Sequence, residues 1–257
     1  MELAAALLKT RTLTALDLAH ARDVGIGGVA RIVQAAAKAA GKIKLLNVSF
    51  IRLGAGNGSS GMRTSIVPQT DAEVEDIASL GAALAALIER NELRELHLES
   101  THLPEAAALQ LFDAMHSGTK LTLLNLSNNS LPAACSAQLA KALQEKDVKL
   151  HTLLFDCNSP LLHEDADLTV EGAEFAWIPS VLDVSRWVSK RGDSFEKQLD
   201  YLGNAIGKSR LSELSLSGVS LPTTQLIRLL DPPMTRKIST NALNSLNLSH
   251  CGIGNDG

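Results

Sequence analysis

Apolar residues recur along this chain in one spacing. They stand at positions 1, 4 and 6 of a short template, with Asn favoured at position 9 and a further apolar residue at position 11. Clear copies begin at Leu13, Ile43, Leu93, Leu121, Leu150, Leu211 and Leu243. The Leu121 copy fills every position, with Leu121, Leu124, Leu126, Asn129 and Leu131. Successive starts are 30, 50, 28, 29, 61 and 32 residues apart, and a weaker copy at Pro179, with Leu182 and Val184 in phase, divides the 61 into 29 and 32. A single period of about 28 to 32 residues therefore runs through the chain, broken by an insert of about 20 after the second copy.

Alternation at positions 4 and 6 predicts a short strand with one buried face. Parallel strands need a crossover of a dozen or more residues, which the intervals supply. The crossovers read as helices: Val29, Ile32, Val33 and Ala36 share one face, as do Ile77, Leu80, Leu84, Leu87 and Ile88. Thr70 and Glu73 have capping-box spacing. Pro104, Pro132 and Pro222 follow the last template leucine and suit a first helical turn, while Gly25, Gly27 and Gly28 read as the turn into a helix. The apolar stretch from Leu3 to Leu8 predicts one more helix.

These copies resemble the leucine-rich repeat, in its long, ribonuclease-inhibitor-like class. The resemblance implies an α/β solenoid, an open horseshoe with a parallel concave sheet and convex helices, spanning residues 1–257 as one array of about eight repeats. At position 9 the family carries Asn or Cys, which satisfies backbone groups at the bend. Asn129, Asn158 and Cys251 comply and Thr101 is a polar substitute, whereas Ala21, Ile51, Trp187 and Val219 depart, so an interrupted ladder is expected. Both ends cut a repeat, which points to a fragment of a longer protein.

Composition narrows the function. Hydrophobic residues make up 45% of the chain, yet it holds only five Phe, two Trp and one Tyr, which suits thin aliphatic layers. With 24 basic and 28 acidic residues the net charge is −4, which disfavours a generally basic nucleic-acid binder. No apolar run reaches the roughly 18 to 20 residues that span a bilayer, and no basic segment precedes Leu3 as in a secretory signal. Cys135, Cys157 and Cys251 are scattered and odd in number, against a disulfide framework or a zinc site and in favour of a reducing, cytoplasmic setting.

Template positions 3, 5 and 7 point away from the core. They include Asp17, Glu95, His97, Glu99, Asp156, Asp183 and Glu213, and no Lys or Arg. Such a face favours a protein partner with a basic surface. A second candidate surface lies where the repeat degrades, between residues 156 and 210. Six of the eight aromatics fall from Phe155 to Tyr201, and an acidic stretch from Asp156 to Glu174 precedes Arg186, Lys190 and Arg191. Aromatic and arginine anchors are the usual composition of interaction hot spots, although rings also fill gaps in a poorly repeating core. Trp187, at an Asn position, is the aromatic to single out, with Arg186 and Arg191 beside it.

Residues 180–186, the basic insert through Lys190 and Arg191, Ser194-Phe195 and the segment Leu214 to Leu221 resemble consecutive repeats of the CARMIL family of actin capping-protein regulators. The match covers about 40 residues. It implies a scaffold in actin-cytoskeleton regulation, without that family's capping-protein-binding motif or membrane-binding domain.

Other motifs carry less. Gly54, Gly56, Gly58 and Gly61 sit in a Ser-rich insert near residues 54–69 with no Lys-Ser/Thr pair, so a linker outweighs a phosphate cradle. Arg191-Gly192-Asp193 spells an adhesion tripeptide by coincidence, and the Asn-x-Ser triplets mostly belong to the strands. His97, Glu95 and Glu99 form the one compact polar cluster, better explained as charged surface than as a metal or acid–base site, because no nucleophile or third ligand accompanies it. The sequence thus favours a noncatalytic protein-interaction scaffold needing no cofactor. The competing readings are a Ran-type GTPase-activating protein, which shares the repeat class, and the sensor repeats of an intracellular immune receptor.

Overall fold

The computed structural model describes residues 2–21, 23–39, 42–53, 70–115, 119–144, 150–155, 158, 181–183, 212–219, 224, 226–227 and 244–252. Helices and strands alternate through its first half: α1 (Glu2–Lys9), β1 (Ala15–Asp17), α2 (Ile26–Lys38), β2 (Leu45–Asn47), α3 (Asp71–Glu89), β3 (Glu95–His97), α4 (Glu105–Ala114), β4 (Leu123–Asn125) and α5 (Ala133–Gln144). Strands β5 (Thr152–Leu154), β6 (Val181–Asp183), β7 (Glu213–Ser215) and β8 (Ser245–Asn247) follow. The architecture is mixed α/β. All strands pair in parallel, in chain order, as one sheet.

The register explains the sequence template. The central residue of every strand is leucine, and Leu16, Leu46, Leu96, Leu124, Leu153, Leu182, Leu214 and Leu246 lie side by side across the sheet. Leu46, Leu96, Leu124 and Leu153 are fully buried, each contributing about 2 kcal/mol relative to exposure. Their neighbours within each strand face the other way and are more exposed. The weak copy at Pro179 contributes β6, paired with β5 and β7 in the same register.

Each helix from α1 to α5 packs against the next. The expected apolar faces of α2 and α3 are buried. Thr70 caps α3, accepting from the Glu73 N–H at 3.2 Å, and Asp71 and Glu73 stand in the first turn where the helix dipole favours negative charge. Two local expectations change. Gly27 and Gly28 lie inside α2, with Gly25 as its N-cap; a Cβ on Gly27 would sit 2.5 Å from the Asp76 carboxylate, so the glycine permits the approach of α3. Pro104 is the N-cap of α4 and Pro132 precedes α5, so both prolines stand one residue before the first turn. Pro222 and the insert at 54–69 lie outside the described residues.

At the bend after each strand, template position 8 adopts a left-handed backbone in every described copy: His20, Phe50, Ser100, Asn128, Gly218 and His250. Inside the bend, the departures of Ile51 and Val219 from Asn are buried apolar side chains, Asn129, Asn158 and Thr101 are buried polar ones, and Cys251 is a buried thiol whose Sγ donates to Leu216 O at 3.1 Å.

Candidate functional site

The open face of the sheet consists of two rows beside the leucine row. One runs Ala15, Leu45, Glu95, Leu123, Thr152, Val181, Glu213 and Ser245; the other runs Asp17, Asn47, His97, Asn125, Leu154, Asp183, Ser215 and Asn247. Alternation in an extended chain is what brings these residues to one surface. Asp17, Glu95, His97, Asp183 and Glu213 all stand in these rows, and Glu99 follows β3 as its position 7. Asp156, Arg186, Trp187 and Arg191 lie outside the described residues, as does most of the aromatic region. Phe155 is its described member, and it is fully buried as a core side chain.

The acids do not form one continuous strip. Glu95 and Glu99 belong to β3 and its bend, whereas Asp183 and Glu213 belong to β6 and β7. Between them β4 and β5 present Leu123, Asn125, Thr152 and Leu154. Asp17 stands apart on β1.

Local bonding separates the acids further. The Asp17 carboxylate accepts from the Ala19 N–H at 2.9 Å, and Asn47, Asn125 and Asn247 accept equivalently from the N–H two residues on, each at 3.0 Å. Asp17 therefore serves the bend as these asparagines do, through a side-chain turn. His97 occupies that position in β3 and instead pairs with Glu95, Nε2 to Oε2 at 3.6 Å. The Glu99 carboxylate accepts from Asn125 Nδ2 at 3.2 Å, and its backbone N–H donates to Ser49 Oγ at 3.2 Å. This cluster on β2 to β4 is a hydrogen-bonded polar surface.

Among the described residues no three His, Cys, Asp or Glu side chains are arranged to hold a metal ion. Cys135 and Cys251 are buried free thiols. Burial, with Glu105 adding to it, pushes the Cys135 thiol up to about 12, and burial also raises Cys251 against backbone hydrogen bonds from Val219 and Gly218. Protonated thiols of this kind are poor nucleophiles at neutral pH. No helix among the described residues is long and apolar enough to cross a membrane.

One feature escaped the sequence reading. His20 and Phe50, thirty residues apart, stack with centroids 4.5 Å apart and planes 5° from parallel, at the rim of the open face. Their shared position 8 is the signal that could have linked them. No protein-family model matches this chain, and no curated protein matches it by sequence.

Proposed function

We propose that this chain is a leucine-rich-repeat solenoid acting as a noncatalytic scaffold, whose open sheet face receives a protein partner with a basic surface. The observation that supports this reading is the charge of that face: its described positions include Asp17, Glu95, Glu99, Asp183 and Glu213, and none is Lys or Arg. Rigid strands hold these carboxylates at set spacings, so little side-chain ordering is left to the binding step. The resemblance to CARMIL repeats extends the proposal to a cytoplasmic role in actin-cytoskeleton regulation.

The test is binding of a fluorescent nona-lysine peptide to the wild type and to a variant carrying Glu95→Gln, Glu99→Gln, Asp183→Asn and Glu213→Gln. The variant should bind roughly tenfold more weakly at low salt and with a flatter salt dependence. Equal binding by the two proteins would reject the acidic face as the docking surface. A parallel assay with Ran and GTP addresses the enzymatic alternative, since accelerated hydrolysis would replace the scaffold reading.

A further inference from the structure

The stacked pair His20 and Phe50 lies at the rim of the acidic face and has no part in the core. Phe50 is 40% exposed, and His20 is exposed as well. The 4.5 Å between ring centroids is close to the strand spacing of about 4.8 Å, so the rings lie across the row of position-8 residues, one per strand. His20 therefore covers one face of the Phe50 ring, and the other is turned towards the next rung. There the equivalent residue is Ser100, whose side chain is too short to cover a ring. Backbone bonds set this order, the His20 N–H donating to Ser49 O and the Phe50 N–H to Glu99 O. Glu99, immediately before Ser100, carries a carboxylate of which one oxygen accepts from Asn125 Nδ2 on β4.

An exposed ring on a residue whose own N–H bonds the backbone of a carboxylate-bearing residue in the next copy matches one chemical group best. A guanidinium is planar, stacks on an aromatic ring and hydrogen-bonds a carboxylate at its edge, which a compact, strongly hydrated ammonium does less well. Among the described residues no Lys or Arg of the chain itself lies over the ring. We infer that the step between Phe50 and Ser100 receives an arginine side chain of a protein partner, stacked on Phe50 and bonded to Glu99. This rests on the acidic-face reading and adds to it a particular residue and a place.

The experiment compares fluorescent nona-arginine and nona-lysine peptides, equal in charge, by anisotropy. The wild type should prefer arginine, and Phe50→Leu should reduce that preference about two- to fivefold while leaving nona-lysine affinity unchanged. Phe50→Trp should raise it, which guards against a Leu variant that misfolds, and far-UV circular dichroism checks both. A preference for arginine that survives in Phe50→Leu, or none in the wild type, overturns the arginine step while the acidic-face reading stands. Binding of neither peptide by the wild type overturns both.

Discussion

The bends after β2 and β4 have the same backbone and different interiors. Both hold position 8 in the left-handed region, at Phe50 and Asn128. After β4, Asn129 fills the bend: its Nδ2 donates to Leu98 O at 2.7 Å and Leu126 O at 2.8 Å, while its Oδ1 accepts from the Thr101 hydroxyl at 2.9 Å and the Leu103 N–H at 3.0 Å. After β2, Ile51 fills the same place, fully buried. The N–H at position 11 shows how each region is completed. Leu103 and Leu131 donate to the side chains of Asn129 and Asn158 in the following copy, whereas Leu53 donates to the backbone carbonyl of Thr101 at 2.8 Å. Where the next copy lacks an amide, the main chain takes over. A backbone group turned inward must find a partner, but which partner is negotiable.

Asn129→Ala tests this contrast most severely, because it strands several buried groups at once. It should cost about 3 kcal/mol in urea denaturation, against about 1 kcal/mol for Ile51→Val, which trims one methyl from the corresponding apolar filling. Equal costs would mean that the amide bridge adds nothing over packing. Thr101→Val removes a hydroxyl whose single proton is shared between two acceptors, Leu98 O at 3.0 Å and Asn129 Oδ1 at 2.9 Å. It should cost about 1.5 kcal/mol alone and less in the Asn129→Ala background, since the two side chains share a bond.

High pH probes the buried thiols. Cys135 titrates near 12 when folded, against an ordinary 9.0, so the folded state holds the proton that the unfolded chain releases. The contribution of Cys135 to stability is therefore constant below about pH 9 and falls as pH rises from there towards 12, by at most about 1.4 kcal/mol per pH unit. Cys135→Ala should flatten that fall in denaturation curves taken between pH 8 and pH 11.

The smallest effects compare two glycines at helix contacts. A Cβ on Gly81 would meet the Ala107 Cα at 3.0 Å as well as the Gln110 side chain, while the nearest atoms to one on Gly27 all belong to the Asp76 carboxylate. A carboxylate can swing aside and a backbone atom cannot. Gly81→Ala should cost about 1 kcal/mol and Gly27→Ala less than about 0.5, read as shifts in the denaturation midpoint. The reverse order would place the tighter helix contact between α2 and α3.

Much of the architecture was legible because the template is periodic and its physical demand local. Leucine at the centre of each strand, the buried faces of α2 and α3, and the Thr70 cap follow from spacing alone, and even the degraded copy at Pro179 holds its register through Leu182. The candidate site was legible only as a set. Alternation put Asp17, Glu95, His97 and Glu99 on one face, but not that Asp17 is bonded to the Ala19 N–H or that Glu95 is paired with His97.

By itself, then, the sequence determined the period, the strand phase and the sign of charge on the open face, since each depends on which way successive side chains point along a short segment. Only the tertiary structure decided what those side chains meet. Stacking of His20 on Phe50, the gathering of Glu99 and Asn125, and the carbonyl that satisfies Leu53 join residues about 26 to 48 apart in the chain. Such contacts depend on how adjacent copies align, and the spacing within a single copy carries no record of its neighbour.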